Sequence, residues 1–311
     1  MLSIQRTAFV LVCVATAILA LKGIFARLAL DTGLSVAAVL FLRALFAVPL
    51  FWAVLRWRQM KTKGEDTGTK VNAPVERRDI WLALACGNLF TIATVLDIYV
   101  LSFMDVGVSR AILFTFPLFV QLLGMLHERR RPQQREIVTF VTAYAGLMLM
   151  LGILDGGELR VPLVGALCVL CSAASYGAYL YYGRNIALRL GSNRFTLLSN
   201  SSTLLVFVLI APFVVAEADF QMTLQGLGWI ACLVVFSTVI PFLLLFEGMR
   251  NIEAAQATLI SLASPVISLS LAAYLFGERV TGLQMLGFVL VLLGVSFLKL
   301  PNPFLKKPKA D

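Results

Sequence analysis

Apolar runs of about 17–23 residues recur some ten times along this chain of 311 residues, separated by short polar joints. About 20 residues at ~1.5 Å each span the ~30 Å hydrocarbon core of a bilayer. Barrel strands would instead alternate over about ten residues, and these runs do not alternate. Hydrophobic residues make up 59% of the chain and charged residues 14%, against about 25% charged in soluble domains. The sequence therefore describes an all-α integral membrane protein with ten expected helices.

Those helices are expected at about 7–27, 35–55, 80–101, 107–126 and 137–154, then 162–182, 195–216, 224–246, 254–276 and 282–300. The first run is too long, and wrongly flanked, for a cleaved signal peptide. The 56–79 joint is long and basic. A Gly-rich turn after 155 divides the chain into 1–155 and 156–300, five helices each, and a basic tail fills 301–311. The net charge of +9 does not imply nucleic acid, because Lys and Arg gather in alternate joints. With both ends cytoplasmic, twenty of them fall inside and four (Arg27, Arg110, Arg160, Arg279) outside. That asymmetry sets the expected orientation.

An odd number of helices per half obliges the second half to insert upside down. The expected architecture is thus two inverted five-helix repeats, a common build of secondary transporters. At an offset of 148 residues Pro117 meets Pro265 and Gly146 meets Gly294, without a gap. Each proline stands near the middle of its run, where it removes a backbone donor. The freed carbonyl must then be met by protein or by cavity water. Pro117 and Pro265 are expected as kinks with a structural or gating role, and Pro265→Ala is expected to impair cycling more than insertion.

Three ionisable residues fall well inside expected helices: Lys22, Arg43 and Asp97. Charges at such depth are costly and point to function. Counting from the external ends puts Lys22 and Asp97 ~8 Å deep and Arg43 ~12 Å deep, which allows Asp97 to pair with either cation. Arg43 fits a structural part. Lys22 and Asp97 are candidates for substrate binding, and Asp97 for proton coupling. Gln121, Tyr176, Tyr179 and Ser264 are the polar side chains deep enough to face a path. No metal or cofactor is expected. The five cysteines lie in apolar runs, the Cys168/Cys171 pair reads as packing, and the single His127 belongs to a basic joint.

The segments SPVISLSLAAYLFGER and MLGFVLVLLGVSFLKL, with FPLFVQLLGMLHERRRPQQREIVTFVTAYAGLMLM and FLRALFAVPLF in the first half, resemble the EamA-like family of the drug/metabolite transporter superfamily. In the first half HERRR replaces the usual GER-like exit, and Lys22 stands where an aromatic or small residue is commoner. The resemblance implies a bacterial inner-membrane carrier that moves small metabolites by alternating access. Its cavity would be formed mainly by helices one, three, four, six, eight and nine. The expected partners are a small-molecule substrate and the lipid bilayer, not nucleic acid. Amino acid export leads the expectations. An intramembrane lipid-modifying enzyme and a non-transporting accessory or signalling protein are the alternatives. The sequence has no GxxxxGK[ST] motif to support ATP hydrolysis.

Overall fold

A computed structural model describes residues 2–62, 76–127, 162–214 and 223–252, single positions between 129 and 149 and between 254 and 277, and residues 281–297. Pro265 lies outside the described residues, as does most of the helix expected at 137–154. The described helices are α1 (Leu2–Leu19), α2 (Lys22–Asp31), α3 (Val36–Thr62), α4 (Arg77–Val100), α5 (Val106–Leu113) and α6 (Phe116–His127). They continue with α7 (Leu163–Leu190), α8 (Ser192–Val214), α9 (Leu224–Val234), α10 (Ile240–Gly248) and α11 (Gly282–Phe297).

Among the described residues six segments are long and apolar enough to cross a bilayer: Arg6–Asp31, Val36–Trp57, Arg77–Val100, Leu163–Leu190, Ser192–Ile210 and Leu224–Gly248. Helices dominate because hydrocarbon offers backbone groups no other partner. Large apolar side chains face outward, among them Val10, Phe46, Leu167 and Leu209, as a lipid-facing surface requires.

The central helix is α4, which packs along α7 and α8, while α1 packs on α10, α2 on α9, and α6 on α7. Small residues allow the closest approach. A Cβ on Gly87 would collide with the backbone of Ser199, so α4 and α8 touch main chain to main chain there. Beside that contact the Thr91 hydroxyl meets the Thr203 hydroxyl at 2.9 Å, and Ser202 donates to Asn88 Oδ1 at 2.8 Å. Apolar attraction between helices is weak in lipid, so close packing and such hydrogen bonds hold the seam.

Three expected single helices are interrupted. The run at 7–27 is two helices, because the Leu21 amide bonds the Ile18 carbonyl three residues back and α2 restarts at Lys22. The run at 107–126 is also two. The Thr115 amide and hydroxyl both donate to the Ile112 carbonyl, at 3.0 and 2.8 Å. Pro117 is then the second residue of α6, where its missing N–H has no helical partner to lose. It stands at the start of a helix and not in the middle of one. Between α9 and α10 a π-turn, Val235–Val239, inserts an extra residue ahead of Pro241. Such turns take up a misfit in the hydrogen-bond ladder without stopping the helix.

The ends of the bundle are tied differently. At one end Arg27 Nη1 donates to the Leu101 carbonyl at 2.9 Å. At the other, Arg184 Nε donates to the carbonyls of Met249 and Ile252 at 3.2 and 3.1 Å, and Arg189 pairs with Asp79 at 2.8 Å.

Candidate functional site

The α1–α2 and α5–α6 interruptions border one cavity. It is lined from the α1–α2 break (Thr16, Leu19, Ala20, Lys22), from α4 (Phe90, Ala93, Thr94, Asp97) and from the α5–α6 break (Arg110, Leu113, Phe114, Phe116). The rest comes from Ser172 and Tyr176 of α7, Phe242 of α10, and Ser261 and Ser264. The cavity volume is about 60 Å³, where a single water needs about 10–15 Å³. In this conformation it admits only a few small groups.

Asp97 is the hub of the polar wall. One carboxylate oxygen pairs with Arg110 Nη2, and the other lies 2.9 Å from Lys22 Nζ. Asp97 is 1% exposed and Arg110 4%, so the charges are withdrawn from solvent, where pairing is what makes burial tolerable. Gly23 makes room for the arrangement: a Cβ there would stand 2.8 Å from Arg110 Nε. Much of the remaining wall is aromatic. The Phe116 and Tyr176 rings meet edge to face at 5.1 Å, and Phe90 and Phe242 at 4.9 Å.

The sequence-derived candidates divide on this geometry. Lys22, Asp97, Tyr176 and Ser264 lie on the lining. The Ser264 hydroxyl donates to the Thr16 carbonyl at 2.8 Å, tying the α1–α2 break to the second half. Tyr179 is fully buried one layer back, its ring stacked on Phe195 at 5.7 Å and its hydroxyl 3.4 Å from Ser199 Oγ. Gln121 stands on α6 away from the lining, as does buried Pro117. Arg43, 1% exposed, lies behind the wall with its guanidinium 5.4 Å from the centre of the Phe90 ring. His127 closes α6 and faces Tyr181 at 6.2 Å, ring to ring. Among the described residues no group of three or more His, Cys, Asp or Glu side chains could hold a metal.

Arg110 is the correction that matters most. Counting loops assigns it to an external turn, but it is buried within α5 and pairs with Asp97. A usable signal was present: an arginine in the otherwise apolar VGVSRAIL needs a counter-charge, and Asp97 is the deep acid before it.

Spanning helices that break around a buried, ion-lined cavity make a multi-pass membrane transporter. The chain belongs to the EamA-like transporter family, whose model matches it twice, over residues 6–152 and 163–300. It is similar to the uncharacterized transporter YcbK of Bacillus subtilis, with 28% identity over 298 residues, covering 92% of each chain. It is also similar to the uncharacterized transporter sll1319 of Synechocystis, with 25% identity over 271 residues, covering 84% of this chain and 78% of the relative. A solved crystal structure shares the fold with a TM-score of 0.62 at 14% identity, over 95% of this chain and 97% of the other. Family membership makes the chain a transporter and not an enzyme.

Proposed function

We propose that the chain is a secondary transporter that exports a small amphipathic metabolite, an amino acid or a related compound, across the bacterial inner membrane by alternating access. The halves 1–155 and 156–300 act as inverted repeats of five helices, with both termini in the cytoplasm. The observation that carries this reading is the cavity, which is bordered by residues 16–116 of the first half and 172–264 of the second. A site shared between two halves is opened to either side by rocking one against the other. The breaks at α1–α2 and α5–α6 supply bending points at its border.

The test is counterflow in proteoliposomes loaded with unlabelled candidate metabolites. Labelled compound should accumulate transiently against its gradient in vesicles holding folded protein, and not in empty vesicles. Folded protein that moves no member of a broad amphipathic panel would overturn the reading.

A further inference from the structure

The charges around the cavity do not balance. Lys22 and Arg110 face it with a single carboxylate, Asp97, between them. Arg43 adds a third cation behind Phe90. Both guanidiniums stay protonated in any protein environment, so positive charge exceeds negative whatever state Lys22 adopts. The Nε and Nη2 of Arg43 and the Nε of Arg110 are buried without a hydrogen-bond partner among the described residues. So is the hydroxyl of Thr94, on the lining beside Asp97. Uncompensated cations in a low dielectric attract an anion strongly.

A ligand ammonium would have to compete with Lys22 and Arg110 for the one carboxylate among the described lining residues. Asp97 is the single acid there among the described residues, and both its oxygens face cations. The open π-surface nearest the charges is Phe90, and Lys22 and Arg43 already stand over that ring at 6.0 and 5.4 Å. The remainder of the wall sets apolar and aromatic side chains, among them Leu113, Phe116, Tyr176 and Phe242, beside the hydroxyls of Thr16, Ser172, Ser261 and Ser264.

We propose that the cavity selects a small organic monoanion, a carboxylate on a short apolar body, over the zwitterion of the same shape. This rests on the transport reading for where the ligand is carried, but not for its binding. The carboxylate shares the Lys22 ammonium and the Arg110 guanidinium with Asp97, and the apolar body lies against Phe116, Tyr176 and Phe242. Among amino acids and related compounds, the site therefore favours those without a free ammonium.

The experiment compares 4-methyl-2-oxopentanoate with leucine, which share a carbon skeleton and differ in the ammonium. Binding to the purified full-length protein in detergent is read by isothermal titration, and flux by counterflow in proteoliposomes. The oxo acid should bind at least tenfold more tightly than leucine. Lys22→Gln should lose at least tenfold of that affinity while Lys22→Arg keeps most of it. Asp97→Asn, which removes the competing carboxylate, should bind the oxo acid more tightly than the parent. A role for the triad in folding alone predicts no such tightening. Leucine binding as well as the oxo acid, or no binding of the oxo acid to folded parent protein, overturns the proposal without needing any variant. Preferential binding of the oxo acid with no flux upholds the site and overturns the transport reading.

Discussion

The cavity wall holds an ionic group, Lys22, Asp97 and Arg110, and an aromatic one, Phe90, Tyr176 and Phe242. Each ionic side chain depends on one acid. The aromatic rings instead depend on many neighbours, because Tyr179, Phe195 and Phe246 form a second layer behind them. Phe195 and Phe246 meet at 4.6 Å, and Phe90 touches both Tyr179 and Phe242. The ionic wall is suited to exchanging its partner for a ligand, since one new carboxylate replaces what one carboxylate provides. The aromatic wall is suited to holding shape, since no single loss frees it.

That contrast breaks first at Asp97. Asp97→Ala strands two buried cations, so stability should fall by about 3–5 kcal/mol, and transport should fail with it. Thermal melting in detergent checks this. Restoring charge balance with Lys22→Gln should recover part of the loss. Phe246→Ala should cost about 3–5 kcal/mol through the cavity it leaves. Unlike the Asp97 variant, its surviving folded fraction should keep the parent's substrate preference in counterflow.

A subtler comparison sets Tyr176 against Tyr179, three residues apart on α7. Tyr176→Leu should raise KM by about 2–12-fold, because it removes an aromatic contact worth about 0.5–1.5 kcal/mol from the lining. Tyr179→Leu should lower the melting temperature while KM holds. If Tyr179→Leu raised KM and Tyr176→Leu did not, the assignment of front and back layers would be reversed. The smallest effect belongs to Thr94. Thr94→Val removes a buried hydroxyl that has no partner among the described residues, so stability should stay level or rise by up to about 1 kcal/mol. A concurrent loss of ligand affinity would show that the hydroxyl serves the ligand.

Much of the site was legible in the sequence, and the exceptions have physical reasons. Lys22 and Asp97 announced themselves because a charge in an apolar run is costly wherever it lies. Their depths, counted at 1.5 Å per residue, already allowed the 2.9 Å pair. Arg110 escaped because it follows a polar joint, where a count along the chain cannot tell a loop residue from the first turns of a buried helix. Depth alone makes Tyr179 a candidate, and depth does not say which way a ring points. The α1–α2 break carries no proline, and its glycine, Gly23, lies after the break. Pro241 did offer a local signal for the π-turn.

The sequence by itself determined that this is a helical membrane protein, where most spanning runs lie, and which family it joins. Hydrophobic length and the run of Pro, Gly and charged residues are local properties, and a bilayer enforces them segment by segment. Only the tertiary structure decided that Arg110 turns inward to Asp97, that Tyr179 stands behind Tyr176, and that the helix breaks gather at one cavity. Those outcomes depend on the rotation of each helix about its axis. Rotation is set by packing against neighbours distant in the chain, such as Gly87 on Ser199 and Ser264 on Thr16.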